Sequence, residues 1–336
     1  MKMLMFDFRE SEKDFFNNNE LKDFEITFIE SPLTAKTELT EEQLEETVVL
    51  SVFTTSNITQ DILQKFKNLR IIATRSTSYS HIDIKYCIEH SIAVLNVEQY
   101  GKTAVAEYAI GLIISIVRNV MPAYYDMKNH TVNPPRYEGR ILSSYTIGII
   151  GCGAIGSAVA KIAHFFGMEV LINSYMKNNE ISDICNFVSL DELLERSDII
   201  SLHVPYDGEN YHMLGKDEFE KMKDGVFIVN TARGELIDIK VLYDNLITGK
   251  VRAAALDVLE CEFISMHKAA PTEIIELSDT NCVESVLIAP KLFKLNNVII
   301  TPHIAYNTVE AVNYILTVTF NNIRDNLKGM STNRIY

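Results

Sequence analysis

The chain has 336 residues, 47% hydrophobic and 23% charged, the composition of ordinary globular material at a length that predicts roughly two domains. With 31 basic and 45 acidic residues the formal charge is −14, which disfavours nucleic acid or an anionic membrane as partner, because those surfaces recruit clustered Lys and Arg. Cys87, Cys152, Cys185, Cys261 and Cys282 are scattered and include no C-x-x-C pair, so neither a disulfide framework nor a zinc site is predicted, no metal is expected, and the expected compartment is a reducing cytoplasm.

Met1 to Asp7 runs straight into the charged RESEKD, and no apolar span approaches the roughly 18 residues of a membrane helix, so neither secretion nor insertion is expected. Short β-type runs follow: KMLMF (2–6), FEITFI (24–29), TVVLSVF (47–53), RIIATR (70–75) and AVLNV (93–97), with helical stretches such as ITQDILQKFKNL (58–69) between them. Such alternation predicts a parallel sheet with crossover helices. From Thr103 to His130 the chain reads as one long helix leaving this first domain for a second, and Asn133-Pro134-Pro135-Arg136 marks a loop.

The second domain is organised around Tyr145–Tyr175, YTIGIIGCGAIGSAVAKIAHFFGMEVLINSY. A β-type run, Thr146 to Ile150, enters a glycine turn; an Ala/Ile-rich helix follows, and a second apolar run spans Val170 to Ile172. In this strand–turn–helix–strand context Gly151 permits the tight turn, Gly153 lets backbone approach a pyrophosphate, and Gly156 lets the helix pack on the sheet. Ala154 and Ile155 open the helix whose N-terminus would face the phosphates. Where an acidic residue should hold a ribose 2′-hydroxyl, the chain offers Asn173, Ser174 and Tyr175. The strand–helix rhythm continues through FVSL (187–190), the helical DELLERS (191–197), DIISLHVP (198–205), GVFIVNTARG (225–234), VRAAALDV (251–258) and NVIITPHIA (297–305). Leu259 to Leu295 has no clear period, and so long an excursion is more often functional than idle. Residues 307–329 read as a final helix capped by Gly329.

Three residues directly follow apolar strands of this domain: Arg233 in NTARG, Glu262 in DVLECE and His303 in TPHIA. Taken singly, each has an ordinary explanation as an ion-pair partner, a solvated carboxylate or a capped histidine. In a doubly wound sheet their shared placement puts all three at the crevice that holds the cofactor. Together they fit reduction of a ketone: a histidine as general acid, a carboxylate that fixes its tautomer and keeps it protonated, and a guanidinium that grips a carboxylate with paired hydrogen bonds. His203 reads as structural or cofactor-lining, and the remaining histidines as unremarkable.

At these residues the sequence resembles the D-specific 2-hydroxyacid dehydrogenases, most closely the D-lactate dehydrogenase branch that includes the vancomycin-resistance-type enzymes. The likeness spans nearly the whole chain: TRSTSYSHID (74–83), VAEYA (105–109), GCGAIG, SLHVPY, MKDGVFIVNTARGELID, AAALDVLE and NVIITPHIAYNT are similar to the family's signature blocks. The resemblance implies two doubly wound α/β domains, a flavodoxin-like substrate domain of residues 1–101 plus 299–336 around a Rossmann nucleotide domain of 102–298. It implies His303 as acid/base, Glu262 as its partner and Arg233 as substrate anchor. Thr77, Ser78, Tyr100 and Tyr306 would line the substrate pocket, with Val204, Pro205, Asn210, Thr231 and Asp257 along the cofactor. The partners implied are NAD or NADP, a small 2-oxo or 2-hydroxy acid such as pyruvate and lactate, and a second copy of the chain in a homodimer. Neighbouring possibilities on the same fold are a bulkier oxo acid or phosphite as substrate, or a nucleotide-sensing binding protein without turnover.

Three departures from the family pattern stand out. Ser78 replaces a usual glycine whose N–H helps hold the substrate carboxylate, and YGKT (100–103) replaces a usual Tyr-Ser-Pro run. Ser174 replaces the Asp that selects NAD; it would not repel a 2′-phosphate, and Lys177 follows closely enough in sequence to offer a cation.

Overall fold

The computed structural model describes residues 1–18, 21–176, 178–262 and 280–336. The chain divides into two compact units, Met1–Tyr100 with Asn307–Tyr336, and Gly101–Tyr306.

In the first unit five strands, β1 (Lys2–Met5), β2 (Glu25–Phe28), β3 (Val49–Val52), β4 (Ile71–Thr74) and β5 (Ala93–Leu95), pair in parallel in the order β2-β1-β3-β4-β5. This is the flavodoxin-like doubly wound order. The runs VLSV and IIAT are buried at every position, as parallel strands covered on both faces must be. Helices α1 (Lys13–Asn18), α2 (Glu41–Glu46), α3 (Gln60–Leu63) and α4 (Ile84–Glu89) make the connections. The C-terminal helix, Val309–Leu327, returns to this unit and sets Leu316, Phe320 and Ile323 among Met3, Met5, Val49 and Ile71. Gly329 follows it at φ 82° and donates its N–H to the Asn326 carbonyl, the predicted cap.

The second unit opens with α5 (Lys102–Val117) and α6 (Val120–Lys128), where the sequence predicts one helix. The two are bent by 63°. Asn119 between them adopts a left-handed conformation, φ 53°, which Asn tolerates, and Pro122 fits the first turn of a new helix but not the interior of a continuous one. Among the described residues the further α-helices of this unit are α7 (Ala154–Phe165), α8 (Leu190–Arg196), α9 (Lys216–Lys221), α10 (Ile239–Thr248) and α11 (Thr280–Leu292). No single helix among the described residues is long and apolar enough to cross a membrane, and α5 buries Ala106, Ala109 and Ile113 in the same core as Val159 and Ala160 of α7.

Seven parallel strands form the sheet: β6 (Thr146–Ile150), β7 (Glu169–Asn173), β8 (Asn186–Phe187), β9 (Ile199–Leu202), β10 (Val226–Asn230), β11 (Val251–Leu256) and β12 (Val298–Ile300). Their order is β12-β11-β10-β9-β6-β7-β8. The order reverses between β6 and β9, and that switch point is where a doubly wound sheet opens a crevice at its carboxyl edge. Aliphatic side chains such as Ile147, Ile149, Ile199, Ile200 and Val229 are fully buried on the two faces, each contributing about 1.5–3 kcal/mol relative to exposure.

The long excursion expected over Leu259–Leu295 ends in α11; its residues 263–279 lie outside the described residues. A second correction concerns the cysteines: Cys261 and Cys282 form a disulfide, with Cα atoms 5.8 Å apart across a sequence separation of 21. Nothing in their spacing announces the pair. It exists because α11 brings Cys282 back to the end of β11. Cys87, Cys152 and Cys185 are free thiols.

Candidate active site

The glycine turn at the end of β6 has the properties a dinucleotide requires. Gly151 sits at φ 102°, and a Cβ there would fall 2.5 Å from the His203 carbonyl oxygen. A Cβ on Gly156 would fall 2.0 Å from the Gly151 carbonyl oxygen, so helix and turn touch backbone to backbone. Gly153, by contrast, faces open space, and as N-cap of α7 it provides no side-chain cap for the first amides of that helix. Those uncapped amides around Ala154 and Ile155 are donors suited to a pyrophosphate. His203, bonded to Ser201 at 2.9 Å, is kept neutral by burial, which lowers its pKa to about 4.

Other strand ends complete the edge. Ser174 follows β7 and its hydroxyl accepts from the Met176 N–H, 3.3 Å; no acid stands there, and Lys177 lies outside the described residues. Val204 and Pro205 follow β9, where Asn210 braces the loop by donating to the Pro205 carbonyl at 2.8 Å. Thr231 follows β10, and its buried hydroxyl has no hydrogen-bond partner among the described residues, an orphan that a bound ligand can satisfy.

Arg233 stands on a turn clipped by Asn230, whose amide donates to the Arg233 carbonyl (2.8 Å) and accepts from the Ala232 N–H (2.9 Å). Gly234 brings this turn against the one after β11, since a Cβ there would lie 2.0 Å from the Leu259 carbonyl carbon. The β11 turn carries Glu262, and Glu262 Oε2 lies 2.8 Å from His303 Nδ1. His303 is itself in the left-handed region, φ 51°. Asp257 holds it there: one carboxylate oxygen accepts from the Thr301 hydroxyl (2.5 Å) and the Ile304 N–H (3.0 Å), the other from the Ala305 N–H (2.8 Å). The His303 N–H donates to the Asp257 carbonyl at 2.9 Å. This clasp has no signature in the sequence beyond an aspartate ending an apolar strand.

Burial works to lower the His303 pKa, but the hydrogen bond and charge of Glu262 outweigh it and raise the value above the ordinary 6.5, against the opposing charge of Arg233. Arg233 is half-buried and donates to its own turn at the Ala232 carbonyl, 2.6 Å. Beside it Glu235 is pushed up by burial and by the charge of Glu262. An imidazolium held by a carboxylate next to a guanidinium can donate a proton and bind an anion.

The segment 110–305 matches the model of the D-isomer specific 2-hydroxyacid dehydrogenase NAD-binding domain. The chain belongs to the D-isomer specific 2-hydroxyacid dehydrogenase family. Among the relatives of this chain, the aromatic 2-oxoacid reductase of Clostridium sporogenes is 35% identical over 292 residues, 85% of each chain. The hydroxypyruvate reductase of Thermotoga maritima is 38% identical over 267 residues, 79% of this chain and 80% of its own. The crystal structure of Aquifex aeolicus D-lactate dehydrogenase, complexed with NAD and lactic acid, superposes with a TM-score of 0.81 at 32% identity, covering 99% of this chain and 98% of that one.

In the second unit the structure brings together the glycine turn, Ser174, Val204, Pro205, Thr231, Arg233, Asp257, Glu262 and His303 at one sheet edge. Tyr306 also belongs to that unit and is 7% exposed. Thr77, Ser78 and Tyr100 belong to the first unit. There the Thr77 hydroxyl donates to the Val97 carbonyl (3.0 Å), and Ser78 has no positive φ, so its backbone does not demand glycine and the serine imposes no strain.

Proposed function

We propose that the protein is an NAD(P)-dependent D-2-hydroxyacid dehydrogenase that reduces pyruvate or a close relative to the D-hydroxy acid. The observation that carries this reading is the 2.8 Å His303–Glu262 pair at the sheet edge shared with Arg233 and the glycine turn. Glu262 engages Nδ1, so Nε2 is the nitrogen left to donate. Bound on the glycine turn, the nicotinamide cofactor supplies the hydride. As the ketone is reduced its oxygen gathers negative charge, which His303 quenches with its proton while Arg233 holds the substrate carboxylate. In the second unit Tyr306 adds to the substrate contacts; the first unit we read as the substrate domain, with Thr77, Ser78 and Tyr100 as its own binding residues. Val204, Pro205, Asn210, Thr231 and Asp257 border the cofactor.

The relatives' own substrates differ in size, from lactic acid to aromatic oxo acids, so the side chain is the finer question. Ser174 bears on the cofactor: without a carboxylate after β7 nothing repels a 2′-phosphate, and NADPH is expected to serve at least as well as NADH. A matrix of oxo acids against both cofactors, followed at the nicotinamide absorbance, tests both statements. Turnover greatest with pyruvate and related small acids supports the first; tight cofactor binding with no turnover of any acid would leave a nucleotide-sensing role instead. A preference for NADH above roughly tenfold in kcat/KM, about 1.4 kcal/mol, overturns the second.

The second unit also exposes apolar side chains: Tyr125 at 56% and Met127 at 67% on α6, Ile141 at 66% before β6, and Phe165 at 87% at the end of α7. We read these exposed side chains as contacts of a cytoplasmic homodimer. A two-chain mass by sedimentation supports it, and a monomer at micromolar concentration refutes it.

A further inference from the structure

Glu260 is a buried carboxylate outside the catalytic pair, 4% exposed, two residues before Glu262. The Ser285 hydroxyl of α11 donates to it at 2.5 Å and the Tyr211 hydroxyl at 2.7 Å, and His212 Nε2 lies 3.4 Å away. Tyr211 and His212 come from the loop after β9, their rings stacked with centroids 3.8 Å apart. That loop is itself tied to the segment following Arg233, because the His212 N–H donates to the Glu235 carbonyl at 2.8 Å. The second His212 nitrogen faces Asp238, 3.8 Å away, the residue that caps α10 by accepting from the Lys240 and Val241 N–H groups.

The turn after β11 is therefore fixed from two sides. Side-chain bonds draw Glu260 toward α11 and the β9 loop. On the other side its backbone meets Gly234 so closely that a Cβ there would lie 2.1 Å from the Glu260 nitrogen. A carboxylate is an expensive choice for a buried packing position, where an apolar residue would serve better. What the carboxylate adds is direction: donors from separate elements converge on it and leave the turn one arrangement.

We propose that Glu260 is a positioning residue, whose buried carboxylate, held by Ser285, Tyr211 and His212, sets the turn from which Glu262 reaches His303. This rests on the reading of His303 as the proton donor. Among the described residues the charged groups acting on His303 are Glu262, Arg233 and Asp257, so the proposal has Glu260 act on it through the placement of Glu262. The Cys261–Cys282 bond ties the same turn to α11, so the measurements are made with and without dithiothreitol.

The test follows the titration of the His303 imidazole by NMR in the intact protein, its signals assigned through His303→Gln, in wild type, Glu260→Gln, Tyr211→Phe and Ser285→Ala. In folded Glu260→Gln, His303 titrates at lower pH than in wild type, kcat falls roughly tenfold, the size common for groups that orient a working residue, and NADH binds as before. Tyr211→Phe and Ser285→Ala move the titration the same way by less, and they decide the matter if Glu260→Gln does not fold. A titration unmoved in the folded variants overturns the proposal, even if kcat falls. If the wild type turns over no oxo acid while the titration still moves, positioning stands and the dehydrogenase reading falls.

Discussion

Replacing His303 by alanine is expected to lower kcat by roughly a hundredfold or more, with NADH binding retained. His303 is the group that supplies the proton to the ketone oxygen, and among the described histidines at this edge it alone is bonded to a carboxylate as closely as 2.8 Å. A near-normal rate in the variant removes His303 from the mechanism. The same pair sets a pH dependence whose sign follows from the structure. The His303 pKa lies above the ordinary 6.5, since Glu262 outweighs the burial that opposes it. Reduction needs the protonated form, so kcat/KM for the oxo acid holds through pH 6.5 and declines as pH rises through the raised value. Any stability the pair confers is full below 6.5 and is lost over the same rise. In Glu262→Gln burial acts with less opposition, and the alkaline decline moves to lower pH. An alkaline limb at the wild-type position in that variant would refute the coupling.

Arg233→Ala is expected to act on binding and rate together. A guanidinium gripping a carboxylate makes two charge-assisted hydrogen bonds worth about 1.5–2 kcal/mol each, so kcat/KM should fall by two to three orders of magnitude, about 3–4 kcal/mol. Asn230 clips the backbone of the Arg233 turn, so the loss should come from the missing side chain and leave the turn in place. Arg233→Lys should recover only part of it, because an ammonium cannot make the paired geometry. Full activity in the lysine variant would show that charge alone is used. A KM for an oxo acid unchanged in Arg233→Ala would place the carboxylate elsewhere.

The local pattern of the sequence singles these residues out as candidates because strands and the glycine turn leave local signals. Thr146–Ile150, the three glycines and the apolar runs ending at Thr231, Asp257 and Thr301 announce parallel strands, and in a doubly wound sheet the residues after such strands share one edge. Where the chain contradicted a local signal, the cause was a residue with a backbone preference of its own: Asn119 in the left-handed region and Pro122 behind it split a helix that hydropathy alone would continue.

What hydropathy and spacing by themselves determined was the class of fold, the nucleotide turn and the candidacy of Arg233, Glu262 and His303. Only the tertiary structure decided how these are held. Asp257 clasping the His303 loop, Gly234 abutting the Glu262 turn, Glu260 anchored by Ser285 and Tyr211, and the joining of Cys261 to Cys282 are all contacts between segments distant in sequence. Periodicity records which face of an element is buried. It carries no record of which buried polar group meets which, because that pairing is fixed by how elements pack and by the cost of leaving a buried donor or acceptor unmet.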